Sequence, residues 1–230
     1  NLLQALRSSR PGRKGQEPRI PVIAECKRAS PSRGLIRDPY DPVAIAQSYE
    51  RHGAAAISVL ADEKYFGGSL GDLEVVHRSV ALPVLCKDFV IDEYQVFEAR
   101  ARGADAILLI AAILDAPQMR RLIELVWAFR MHALVEVHSV EEIETAAESN
   151  TGIIGINNRD LRTMSVDLRQ TERLISHVPS GILVVSESGI RSRDDIEYLC
   201  DLGVGAVLVG EHFMSADDPG RALADLISDD

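Results

Sequence analysis

Aromatic residues are scarce in this 230-residue chain, at 5%, and there are only three cysteines, Cys26, Cys86 and Cys200. An odd, widely spaced set of thiols supplies neither a disulfide framework nor a zinc pattern. It reads as reduced, mostly buried thiols in a cytoplasmic protein. No apolar run approaches the roughly 20 residues that span a bilayer. The opening stretch, NLLQALRSSRPGRKGQEPR, lacks the apolar core of a signal peptide. Positive charge is short as well. The net charge is −10, whereas a nucleic-acid footprint is basic. Nucleic acid and membrane are therefore not expected as partners, and the chain is expected to act as a monomer. The first strand candidate runs into ECKRASPSRG rather than a G-x-G-x-x-G turn, which disfavours an open dinucleotide-binding sheet.

What is present is aliphatic. Hydrophobic residues make up 46% of the chain. Short apolar runs at 21–26, 55–60, 83–89, 105–110, 133–138, 152–157, 182–188 and 205–210 read as strands. Segments with helical periodicity follow them at 41–52, 70–79, 92–102, 116–130, 140–149, 167–177, 192–202 and 218–228. Near-continuous apolar strands belong to a parallel sheet covered on both faces. Eight strand–helix units in strict alternation predict an α/β fold, a single (β/α)8 TIM barrel over 21–230. Residues 1–20 form a short N-terminal extension: a helical stretch to Ser8 with Leu2, Leu3 and Leu6 as its stripe, then a flexible connection from Ser9 to Arg19.

Barrel enzymes work at the C-terminal ends of their strands, and polar residues gather there in this chain. Glu25 and Lys27 end strand one, Lys87 and Phe89 strand three, and Glu136 and His138 strand five. Asn157 and Arg159 end strand six, Glu187 to Gly189 strand seven, and Gly210 and Glu211 strand eight. Spacing of i, i+2 puts each pair on one face, the barrel interior. A charged ring there is costly unless it is paired or meets a ligand, which points to a polar small-molecule site. Taken alone, Lys87 reads as readily as a surface lysine, and His138 reads as a supporting or loop residue. Asp88 and Cys86 are out of phase and should face outward. Glycines after strands seven and eight suit close approach of an anion to backbone N–H groups. There the backbone of Glu211 would donate while its side chain turns away.

The segments IAECKRASPSRG, SVLADEKYFGGS, CKDFVIDEYQ, GADAILLI, LVEVH, GINNRDL, SESGI and VLVGEHFM, in this order and spacing, resemble the indole-3-glycerol-phosphate synthase family. The resemblance runs from about residue 20 to about residue 225. It implies ring closure, decarboxylation and dehydration of 1-(2-carboxyphenylamino)-1-deoxyribulose 5-phosphate to indole-3-glycerol phosphate, a step of tryptophan biosynthesis. By that pattern Lys87 is the general acid on the ribulose carbonyl, and Glu136 assists dehydration. Lys27 contacts the substrate carboxylate and reaches the leaving hydroxyl. Glu25 and Asn157 hold Lys87 or the substrate hydroxyls, and Glu187 and Ser188 are strand-seven contacts. Arg159 lies at the anthranilate end, and Phe66, Phe89 and Leu134 are apolar substrate contacts. Lys27, Ser30, Gly189, Gly210 and Glu211 make the phosphate region. No metal or organic cofactor is implied, because the substrate nitrogen supplies the electrons. This sequence departs from the pattern at Cys86, where the family carries Arg. It also departs in its short N-terminus, where the family has a longer extension capping the barrel mouth. Alternatives are another sugar-phosphate barrel enzyme, such as a phosphoribosyl-anthranilate isomerase, and a non-catalytic sugar-phosphate-binding barrel.

Overall fold

The computed structural model of the chain describes residues 1–8 and 20–228; the expected connection from Ser9 to Arg19 lies outside them. Eight parallel strands close into a barrel in chain order. They are β1 (Val22–Cys26), β2 (Ala56–Leu60), β3 (Val84–Lys87), β4 (Ala106–Ile110), β5 (His132–Val137), β6 (Ile153–Asn157), β7 (Leu183–Glu187) and β8 (Ala206–Val209). The barrel helices are α2 (Pro42–Arg51), α3 (Leu70–Ser79), α4 (Glu93–Ala101), α5 (Ala116–Ala128), α6 (Val140–Glu148), α7 (Arg169–Ile175), α8 (Arg193–Asp201) and α9 (Pro219–Ile227), and α1 (Leu2–Arg7) precedes them. Side-chain caps start most of them: Asp41 accepts from the N–H of Ala44, and Ser192 and Asp195 form a reciprocal capping box.

Alternation along each strand splits the core into two clusters. Outward-facing Val, Ile and Leu side chains pack under the helices, with Cys26 and Cys86 among them. Cys200 is exposed. Inward-facing side chains fill the barrel in layers drawn from alternate strands. The odd strands contribute Ile23, Leu85, Leu134 and Val185 to one buried apolar layer. Two residues further on, the same strands contribute Glu25, Lys87, Glu136 and Glu187, so the next odd layer is charged throughout.

Helix α1 plugs the floor. Leu2 and Leu6 are fully buried in the inner cluster, and Arg7 donates to the carbonyl of Gly181, just before β7, at 3.2 Å. The described part of the extension thus lies at the end of the barrel opposite the mouth. Three short elements carry no apolar period and escaped the sequence reading. A hairpin ladder pairs Ala29–Ser30 with Gly34–Leu35, one helical turn spans Glu63–Phe66, and another spans Glu211–Met214. Strand three also stops at Lys87 rather than running to Phe89.

Candidate active site

The strands open at their C-terminal ends on a cavity of about 530 Å³, within the usual range for a small-molecule site. Lys87 stands on its floor with its side chain 15% exposed. Its Nζ lies 3.1 Å from Glu187 Oε2 and 3.4 Å from Glu136 Oε2. Both carboxylates are almost completely buried. Asn157 donates from Nδ2 to Glu136 Oε1 at 3.1 Å and accepts at Oδ1 from the N–H of Arg159. Just past β1, Lys27 Nζ approaches Glu25 Oε1 to 2.7 Å. Two glycines make room for these carboxylates. A Cβ on Gly155 would stand 2.1 Å from Glu187 Oε1, and one on Gly210 2.3 Å from Glu25 Oε1.

Charge in this layer is unequal, with three carboxyl groups against the ammonium groups of Lys27 and Lys87. Burial resists ionisation of Glu187. Lys87 pulls its pKa back only in part, and Glu136 and Glu25 push it further up, to about 7. Burial pushes the Lys87 pKa down, but the charges of Glu187, Glu136 and Glu25 outweigh it, and the ammonium is held well above its ordinary range. Among the described residues, Glu25 Oε2 and Glu187 Oε1 are buried with no hydrogen-bond partner. Such groups are costly to leave unmatched, so the layer is built to meet further polar atoms. Among the described residues no cluster of His, Cys, Asp or Glu is arranged to hold a metal.

The rim divides into an apolar side and a cationic side. Phe66, half-buried, and Phe89, 39% exposed, lie with ring centroids 6.4 Å apart, and Tyr65 meets Phe89 edge-on at 6.1 Å. Opposite them, Glu211 corrects the sequence expectation, because its side chain does not turn away. It faces the cavity and gathers Arg159 at 3.1 Å, Arg33 at 3.4 Å and Arg191 at 3.9 Å. Arg159 is thereby drawn to the loops expected to hold phosphate. Ser30 is buried in the first-loop hairpin, its hydroxyl 3.3 Å from that of Ser32. Ser188 and Gly189 both take left-handed backbone conformations, at φ 69° and 86°, and both line the cavity with Gly210. Leu134 is a second correction. It is fully buried one layer beneath Glu136 and lines no part of the cavity, whereas Leu108, Ile110 and Leu208 do.

Three residues absent from the sequence reading tie the site together. Asn158 donates from Nδ2 to Ser186 Oγ and to the carbonyls of Glu187 and Ser188. Its Oδ1 accepts from the N–H and the hydroxyl of Thr171. This buried cluster fixes the strained Ser188 turn to β6 and α7. The signal was a run of polar residues in phase with the helix-covered outer face, where apolar ones are expected. Arg33 lies inside the first quoted segment and Arg191 just beyond SESGI, and only the closed fold brings them to Glu211.

The sequence profile of the family described as indole-3-glycerol phosphate synthase matches residues 5–226. The chain belongs to the indole-3-glycerol phosphate synthase family. An indole-3-glycerol phosphate synthase of Leptothrix cholodnii is 54% identical over 207 residues, covering 90% of this chain and 79% of that protein. One of Polaromonas naphthalenivorans is 51% identical over 208 residues, with 90% and 79% covered. Solved structures with the same fold are far more distant in sequence. A mandelate oxidase variant superposes with a TM-score of 0.70 at 19% identity, covering 90% of this chain and 72% of its own. KGPDC from Streptococcus mutans gives 0.66 at 14%, with 90% and 94% covered. Membership of the synthase family therefore rests on sequence, and these two structures speak for the barrel alone.

Proposed function

We propose that this chain is a carboxy-lyase of tryptophan biosynthesis that converts 1-(2-carboxyphenylamino)-1-deoxyribulose 5-phosphate to indole-3-glycerol phosphate, carbon dioxide and water. The observation that carries the reading is the Lys87 ammonium, held between two buried carboxylates at the base of a cavity with one apolar and one cationic side.

The division of labour follows from charge. As the aromatic carbon attacks the ribulose carbonyl, negative charge grows on the carbonyl oxygen, and Lys87 donates a proton to it. A placed acid of this kind contributes about 10²–10⁴-fold. Loss of carbon dioxide restores the ring. Glu136, oriented by Asn157, takes the proton from the carbon beside nitrogen as the hydroxyl leaves. Lys27, tethered by Glu25, faces the substrate carboxylate and the departing hydroxyl. Glu187 holds Lys87 in place, and Ser188 contacts the substrate beside it. Phe66 and Phe89 grip the aromatic ring. Lys27, Ser30 and the backbone at Gly189, Gly210 and Glu211 receive the phosphate, with Arg159 beside them.

The same reading takes the chain as a single barrel domain over 21–230, working as a monomer in the cytoplasm with no nucleic-acid or membrane partner. The net charge of −10 supports the first exclusion. Among the described residues no helix is long and apolar enough to cross a membrane. The test is to mix the purified chain with the carboxyphenylamino-deoxyribulose phosphate and follow indole fluorescence. A rise is expected. Binding without a rise would favour a sugar-phosphate-binding barrel, and absence of both would overturn the reading.

A further inference from the structure

The reaction assigned above consumes a proton. The substrate carboxylate leaves as neutral carbon dioxide, and the carbonyl oxygen leaves as water. Of the two protons that this water carries away, one comes from the carbon beside nitrogen, so the other is drawn from solvent at each turnover. It must reach a buried layer whose mouth the substrate fills.

We propose that His138, with Glu142 behind it, relays that proton from solvent to Glu136 and on to Lys87. This inference rests on the roles assigned to Lys87 and Glu136. His138 follows Glu136 by two residues at the end of β5 and shares its face. Its Nε2 lies 3.6 Å from Glu136 Oε1, and its Nδ1 lies 3.6 Å from Glu142 Oε2. Glu136 Oε2 is in turn 3.4 Å from Lys87 Nζ. The outer end of the line reaches solvent, because the Glu142 side chain is 23% exposed. The inner imidazole nitrogen is buried and has no hydrogen-bond partner among the described residues.

Local structure holds the line in place. Glu142 stands at the third position of α6, where a carboxylate ordinarily turns back to the N–H of the capping residue. Here that residue is Ser139, and Glu142 reaches one residue further to accept from the N–H of His138 at 2.7 Å. Gln170 of α7 secures the His138 carbonyl at 2.7 Å. Burial lowers the basicity of the ring, but Glu142 and Glu136, with a smaller contribution from Glu187, raise it by more, so the imidazole is a stronger base than a free one.

The transfers balance. Neutral His138, protonated at Nε2, takes a proton at Nδ1 from water through Glu142 and gives its Nε2 proton to Glu136, which protonates the Lys87 amine left by the ring-closing step. The ring, now protonated at Nδ1, returns to the Nε2–H form by exchange with solvent. Only N–H and O–H bonds change. Contacts of 3.6 Å exceed a hydrogen bond, and such contacts commonly tighten when substrate is bound. His138 acts through Glu136 and is a positioning residue rather than a catalytic one.

The test is the steady-state rate of indole formation, the regime in which Lys87 must be reloaded at every cycle, in the intact chain and in His138→Asn, His138→Ala and Glu142→Gln. The relay predicts a fall of about tenfold or more in His138→Asn, with substrate affinity unchanged within about twofold. A smaller fall is expected in Glu142→Gln, and recovery of His138→Ala on addition of imidazole. A His138→Asn rate within about twofold of the parent would overturn the relay, as would a slow His138→Ala that imidazole does not restore. Failure of the parent chain to make indole at all would instead remove the function on which the relay rests.

Discussion

Glu187 is the residue whose acidity burial displaces most usefully. Three carboxyl groups share the layer with two ammonium groups, and the carboxyl deepest among its neighbours keeps its proton up to about pH 7. Above that pH the layer gains a negative charge. An extra charge makes the Lys87 ammonium a weaker acid and repels an anionic substrate. The logarithm of kcat/KM should therefore be level below about pH 7 and fall above it. In Glu187→Gln the fall near neutral pH should be absent, whatever the height of the plateau. The sign for stability runs the same way. A free glutamate ionises near 4.3, so the contribution from the raised pKa is full below that value and is lost as pH rises through about 7. A profile with the same limb in both proteins would assign the titration to another group.

At the scale of elements, alternation did most of the work in the sequence. The i, i+2 pairs at strand ends placed Glu25, Lys87, Glu136 and Glu187 together because their strands are parallel and in register. The resemblance, not the alternation, misplaced Leu134. It faces the interior as expected, but one layer down, where the barrel is packed rather than open. Glu211 was misjudged because its three arginine partners come from separate loops, and only the closed fold brings them within reach. The short helices at Glu63–Phe66 and Glu211–Met214 are too brief to show a period. Asn158 was hidden for a related reason, since its partners lie on β7 and α7. Replacing it by alanine orphans several buried groups, and each unmatched group costs about 1–3 kcal/mol. Asn158→Ala should therefore melt measurably lower. Because it frees the Ser188 carbonyl, it should also lose activity per folded molecule. Thermal unfolding and kinetics on the same sample check both, and an unchanged melting temperature would contradict the account.

For the whole molecule, the architecture reconciles an acidic chain with an anionic substrate. A net charge of −10 gives no general attraction. Attraction is local, in Lys27, Lys87 and the arginines around Glu211, while apolar layers and α1 below exclude water from the barrel. The floor is rigid packing and the mouth is loops, the usual division between stability and function in this fold. The central claim is that the charged odd layer performs ring closure with Lys87 as its acid. The most direct measurement is the rate of indole formation by Lys87→Ala beside the parent chain, with substrate binding measured in parallel. The account predicts a loss of about 10²–10⁴-fold in rate with binding retained. A Lys87→Ala protein that forms indole at close to the parent rate would contradict it.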